Sequence, residues 1–164
     1  ENLAFAARRG MRRGLKWGIK KGELEEYKKM LAGLELGLEN RTGQKVGTLS
    51  GGQRQALTLL MVTIRKPKLL LLDEHTAALD PKTAKKVLDL TEKIVDEQGL
   101  TTIMITHNMN DAILYGNRLV MMDAGRIIFD ISGEEKKNLT INDLLMKFET
   151  ITGEEITSDK MILG

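Results

Sequence analysis

"TLSGGQRQALTLLMVTIRKPKLLLLDEHTAALDP", residues 48–81, changes its hydrophobic period part-way along, and that change sets the fold. Over residues 50–66 the apolar positions Ala56, Leu57, Leu59, Leu60, Met61, Val62 and Ile64 cover more than one face of a helix, the pattern of a helix that is largely buried. Ser50, with Gln53 three residues later, forms a capping box at its start, and Pro67 stops it. Four consecutive leucines, 69–72, then break sharply at Asp73-Glu74. So short an apolar run suits a strand buried on both faces, as in a parallel sheet. Asp80-Pro81 opens the next helix, with Asp as cap and Pro at the first helical position.

Working outward, Ala84, Val87, Leu88, Thr91, Ile94 and Val95 line one face of that helix, which Gly99 closes. The β-rich run "TTIMITH", 101–107, predicts a second strand, followed by a short helix ending near Gly116. "RLVMMD", 118–123, and "RIIFDI", 126–131, flank the two-residue turn Ala124-Gly125 and read as a hairpin. A last amphipathic helix carries Ile141, Leu144, Leu145 and Phe148, and Met104, Met121 and Met122 are expected to fill core from strand positions. Upstream, Leu24, Tyr27, Met30, Leu31 and Leu34 make residues 23–36 an amphipathic helix ended by Gly37. Residues 3–22 hold Arg8, Arg9, Arg12, Arg13, Lys16, Lys20 and Lys21 among glycines at 10, 14, 18 and 22, and read as short helical pieces with a solvated basic face. Strands alternating with helices describe an α/β layer architecture.

The bulk numbers set bounds on partners. A chain of 164 residues with 41% hydrophobic content can form one domain with a real core. With 25 Lys+Arg against 23 Asp+Glu the net charge is +2, which demands neither nucleic acid nor an acidic partner. Trp17, Tyr27 and Tyr115 are too scattered to form a stacking platform for single-stranded nucleic acid. The absence of Cys excludes disulfides and thiolate metal sites and fits a reducing compartment. No apolar run reaches the roughly 20 residues that span a bilayer. The sequence starts at Glu1 rather than Met, as a portion of a longer chain does.

Two features carry chemistry. Glycine inside a helix costs about 1 kcal/mol against alanine, so Gly51-Gly52 at a helix start points to bare amides wanted for binding. A helix N-terminus with free N–H groups is an anion site. Asp73 and Glu74 close the first strand, and adjacent side chains on an extended chain diverge, so the two carboxylates should do different work. One suits a hard cation shared with phosphate oxygens and the other could orient an attacking water, although an acidic strand end in plain contact with water fits these residues too. His107 closes the second strand.

The ordered set LSGGQ (49–53), LLLLDE (69–74), ALD (78–80) and His107 resembles the nucleotide-binding subunit of ABC transporters over residues 1–131. The resemblance implies a P-loop NTPase-like (RecA-like) partial parallel sheet with flanking helices and an α-helical signature subdomain. It divides the chain into a helical subdomain (1–66), the second half of an ATPase core (67–135) and a C-terminal helix and tail (136–164). It further implies that Leu49, Ser50, Gly51, Gly52 and Gln53 form the signature motif, that Asp73 binds Mg2+, and that Glu74 is the general base or water-orienting carboxylate. Asp80 would fall in the D-loop, and His107 would contact the terminal phosphate. The implied cofactors are ATP and Mg2+, with the phosphate at Ser50 belonging to ATP on a second ATPase subunit in a head-to-tail dimer. The implied partners are transmembrane permease subunits, and the implied location is peripheral, on the inner face of a bacterial cell membrane. His75 stands where many members carry Pro and is expected to be a packing residue without a role.

The phosphate loop G-x-x-x-x-G-K-[ST] does not occur in these 164 residues, so the chain is expected to be a carboxyl-terminal portion that alone neither binds MgATP tightly nor hydrolyses it. The strand edges beside the missing phosphate-loop strand are expected either to re-pair with each other or to drive association. Three other readings share some of these motifs: a chromosome-maintenance or DNA-repair ATPase, a translation-associated tandem ABC protein, and a degenerate interaction module. The first inserts a long coiled coil ahead of the signature, and residues 23–48 show no heptads.

Overall fold

The computed structural model describes residues 1–11 and 21–152, so the part of the basic front segment at 12–20 lies outside the described residues. The chain divides into two compact units, Glu1–Ile103 and Met104–Gly164.

In the first unit, helix α1 (Asn2–Ala7) buries Leu3, Ala4 and Ala6. Helix α2 (Lys21–Ala32) buries Tyr27 and Leu31 but ends four residues short of the periodic pattern, which reaches Leu36. Left-handed backbone at Glu35 (φ 56°) and Gly37 (φ 68°) breaks the ladder there, and Leu34 reaches the interior from a turn. Two 3-10 turns, Leu38–Arg41 and Val46–Thr48, lead into helix α3 (Gly51–Thr63). As the sequence pattern requires, α3 buries much of its length: Gly52, Ala56, Leu57, Leu59, Leu60 and Thr63. Past its end, Arg65 donates to the carbonyls of Ala7 and Arg9, fastening the exit of α1 to that of α3.

Strand β1 (Leu70–Asp73), helix α4 (Pro81–Gln98) and strand β2 (Thr102–Ile105) form a β-α-β unit, with β1 and β2 paired in one parallel sheet. Asp80 caps α4 by accepting from the Thr83 amide at 3.0 Å, and Gly99, at φ 63°, closes it, both as expected. The four-leucine run does not make a strand buried on both faces. Leu70 and Leu72 are buried, whereas Leu71 is 66% exposed. The period-2 pleat puts Leu71 on the face opposite to Leu70 and Leu72, and no layer covers that face among the described residues. Ile103 and Ile105 on β2 are exposed in the same way.

In the second unit, helix α5 (Met109–Leu114) starts at Asn108, whose side chain accepts from the Asp111 amide. Strands β3 (Arg118–Asp123) and β4 (Arg126–Ser132) pair antiparallel in register Asp123↔Arg126. Ala124 (φ 44°) and Gly125 (φ 76°) both take left-handed backbone, the geometry of the tight primed turn that a two-residue loop demands. Helix α6 (Gly133–Lys137), which periodicity does not announce, and α7 (Ile141–Thr152) complete the unit. Its core gathers Met109, Leu119 and Leu144, with Met121, Phe129, Ile131 and Leu145 against them. Met122 is not core: it is 62% exposed, because the period-2 pleat of β3 puts it on the face opposite to Leu119 and Met121. β1 with β2, and β3 with β4, make two two-stranded sheets among the described residues.

Lys136 shows how α6 is held. It is 4% exposed, and its ammonium donates to the carbonyls of Ile113 (2.5 Å) and Tyr115 (3.0 Å), which the end of α5 leaves without intrahelical donors. Burial lowers its pKa, and these carbonyls offset that desolvation by favouring the charged form. Replacing Lys136 by Met keeps the apolar stem and removes the donors, so we expect a loss of about 1–3 kcal/mol in denaturant unfolding.

Candidate functional site

The start of α3 is built as the sequence indicates. The Ser50 hydroxyl accepts from the Gln53 amide at 3.3 Å, and the Gln53 side chain accepts from the Ser50 amide at 3.2 Å. Gln53 also donates to the Leu36 carbonyl at 3.1 Å, which ties the incoming loop to the helix. Leu49 is buried and its carbonyl accepts from Arg54, while Ser50 itself is exposed. With Ser50 serving the N3 amide, the first helical amides, those of Gly51 and Gly52, have no partner within the helix.

The two glycines also have a packing role that sequence reasoning did not identify. A Cβ at Gly52 would overlap Cγ2 of Thr83, and one at Gly51 would come within 2.9 Å of Leu79 Cδ2. Gly52 therefore lets the start of α3 approach the start of α4 more closely than a side chain allows, whereas Gly51 meets only the flexible end of Leu79 in the turn before the α4 cap. Bare amides are thus not the sole reason for glycine here. Thr83 and Leu79 belong to the site, and only the Asp80-Pro81 cap just before Thr83 marked the place in the sequence.

Asp73 ends β1 and is exposed, as is Glu74. Glu74 has φ 42°, left-handed backbone that a non-glycine residue adopts at a cost of roughly 1–2 kcal/mol. The chain thus leaves the extended conformation at Glu74, so the strand alternation expected to part the two carboxylates ends at Asp73. The Glu74 carbonyl accepts from the Ala77 amide and that of Thr76 from the Leu79 amide, so residues 74–79 are two linked turns running into the α4 cap. Asp80 is exposed, and hydrogen bonds from the side chain and amide of Thr83 hold its carboxyl below the usual carboxylate range. Desolvation lowers the pKa of half-buried His75, whose Nε2 lies 3.2 Å from Thr91 Oγ1. His107 belongs to the second unit, exposed between β2 and α5.

Among the described residues no three His, Cys, Asp or Glu side chains gather as a metal cage. A single exposed carboxylate such as Asp73 fits Mg2+ when phosphate oxygens and water complete its shell, the way this ion is commonly held.

A family profile described as ABC transporter matches residues 7–77. The tyrosine transport ATP-binding protein of Clostridioides difficile (strain R20291) is 46% identical over 149 residues, covering 91% of this chain and 59% of that protein. A methionine import ATP-binding protein of Oceanobacillus iheyensis is 36% identical over 146 residues, covering 85% of this chain and 40% of that one. Among solved structures, a metal-chelate type ABC transporter in an inward-facing conformation superposes with TM-score 0.68 at 26% identity, over 90% of this chain and 58% of its own. A bacterial ABC transporter cassette solved as a dimer does so with TM-score 0.57 at 30% identity, over 79% and 52%. The chain thus spans 59% and 40% of the lengths of these two curated relatives.

The glycine contact has a direct test. Alanine is the better helix former by about 1 kcal/mol, so a loss on Gly52→Ala isolates the clash. We expect Gly52→Ala to destabilise by about 1–3 kcal/mol, and Thr83→Ser, which removes Cγ2 and keeps the hydroxyl, to restore most of that loss in thermal or urea unfolding.

Proposed function

Because this chain belongs to the ATP-binding proteins of ABC transporters, we propose that, within a longer protein, it supplies the signature and hydrolytic half of an ATPase that drives solute across a membrane. The single observation that best supports this is the N-terminus of α3, capped by Ser50 and opened by Gly51 and Gly52, whose amides have no partner within the helix. Such an end attracts phosphate through both its N–H groups and its dipole.

In this reading Leu49–Gln53 are the signature, and Ser50 with the amides of Gly51 and Gly52 grips the γ-phosphate of ATP carried by a second subunit in a head-to-tail dimer. Asp73 holds Mg2+, which neutralises charge on the phosphate oxygens when bound. Glu74 polarises the attacking water, Asp80 lines the subunit junction, and His107 contacts the terminal phosphate. The reaction is ATP + water to ADP + phosphate, and closure of the dimer drives permease subunits between two states. The helical subdomain of residues 1–66 faces those permeases. The phosphate loop that this chemistry needs is not among the 164 residues, so turnover is assigned to a longer chain containing one and not to this stretch by itself.

The relatives named for tyrosine transport and methionine import favour an importer, with tyrosine the first solute to test. They also favour the transporter reading over a chromosome-maintenance or translation-associated ATPase. No helix among the described residues is long and apolar enough to cross a membrane, and a peripheral place on the inner face of the cell membrane suits a subunit that docks on permeases.

In the full-length protein we expect Glu74→Gln to lower kcat for phosphate release about 10²–10⁴-fold while ATP binding persists and the nucleotide-bound dimer accumulates in light scattering. Wild-type turnover in that variant contradicts the assignment.

A further inference from the structure

Glu74 holds its position at an energetic disadvantage, and something must fix it. Left-handed backbone at a non-glycine residue persists where the surroundings over-determine it. The Ala77 amide on the Glu74 carbonyl, 3.0 Å away, is one constraint, and it lies within the loop itself. The next residue supplies a constraint from outside the loop. His75 is half-buried against α4, with Nε2 at 3.2 Å from Oγ1 of Thr91, which is 5% exposed. The Thr91 hydroxyl donates to the Val87 carbonyl at 2.7 Å. A hydroxyl has one proton, and Thr91 has committed it to the helix backbone, so its oxygen meets His75 as an acceptor. The hydrogen between them therefore comes from the imidazole, and His75 carries its proton on Nε2.

We propose that His75 is the positioning residue for Glu74: its Nε2–H, donated to Thr91 on α4, pins the turn after β1 and so aims the Glu74 carboxylate. The inference rests on the reading of Glu74 as the residue that polarises water. It assigns a task to a side chain that sequence pattern left as packing. The loop's own turns close it locally, and the 75–91 hydrogen bond joins its beginning to the second half of α4, sixteen residues on. A buried Thr91 hydroxyl that is already fixed makes this a rigid attachment point rather than a mobile one.

Thr91→Val retains the shape of the side chain and removes the acceptor, whereas His75→Phe retains a ring and removes the donor. His75→Gln keeps an amide N–H at about the reach of Nε2. In the full-length protein we expect kcat for MgATP hydrolysis to fall about tenfold in Thr91→Val and in His75→Phe, with KM within about twofold, since misplacement of a reacting group acts on kcat. His75→Gln should recover most of the loss. Thermal unfolding of each variant reports whether it has folded, and Thr91→Val serves as the second variant where His75→Phe does not fold. Nitrogen NMR of the wild type should show the proton of the neutral His75 ring on Nε2. Wild-type kcat in Thr91→Val, or a proton on Nδ1, overturns the inference. A wild-type full-length protein that hydrolyses no ATP overturns the proposed function together with this role, whereas an active wild type with an unaffected Thr91→Val overturns this role alone.

Discussion

The first unit depends on how closely two helix starts can approach. Gly52 lies where Thr83 Cγ2 leaves no room for a methyl group, and Gly51 lies against Leu79. The contact places the N-terminus of α3, capped by Ser50, beside the N-terminus of α4, capped by Asp80. Each start presents backbone donors that its own helix cannot use. The hydrophobic length of α3, from Ala56 to Thr63, anchors the arrangement from within and leaves the polar tip at the surface. Packing makes one demand at Gly52, closer approach to Thr83 than a Cβ permits, and the proposed phosphate contact would make the same demand.

The stretch from Asp73 to Asp80 shows a similar economy. β1 delivers Asp73, the left-handed backbone of Glu74 turns the chain, two consecutive turns carry it on, and Asp80 ends it as a helix cap. Residues proposed for chemistry and residues that build the loop adjoin here, and Asp80 belongs to both groups. His75 exemplifies this, since its ring is half-buried against a helix while its backbone directly follows Glu74.

Much of this was legible in the sequence where the cause is local. The capping box at Ser50, the Asp80-Pro81 start, the Gly99 stop and the Ala124-Gly125 turn depend on residues within a few positions of each other, and each is found where its pattern places it. Features that depend on a distant partner were not. Nothing near Gly52 names Thr83, and nothing near His75 names Thr91. The leucine run could not say which of its faces lacks a covering layer, so Leu71 was assigned to a buried strand. Periodicity likewise gave no warning of the register irregularity at Ile128 on β4 or of a buried lysine in a five-residue helix. The end of α2 was missed for a different reason: Leu34 keeps the apolar spacing after the helix has ended.

The most direct test of the account is hydrogen exchange at the amides of Gly51 and Gly52 in the full-length Glu74→Gln protein, with and without MgATP. If this tip is held open to receive a phosphate from a second subunit, exchange there slows when nucleotide is added at concentrations where the dimer forms, and stays fast when the protein is kept monomeric. Equal exchange rates in all three conditions contradict the claim and leave the glycines with packing as their whole purpose.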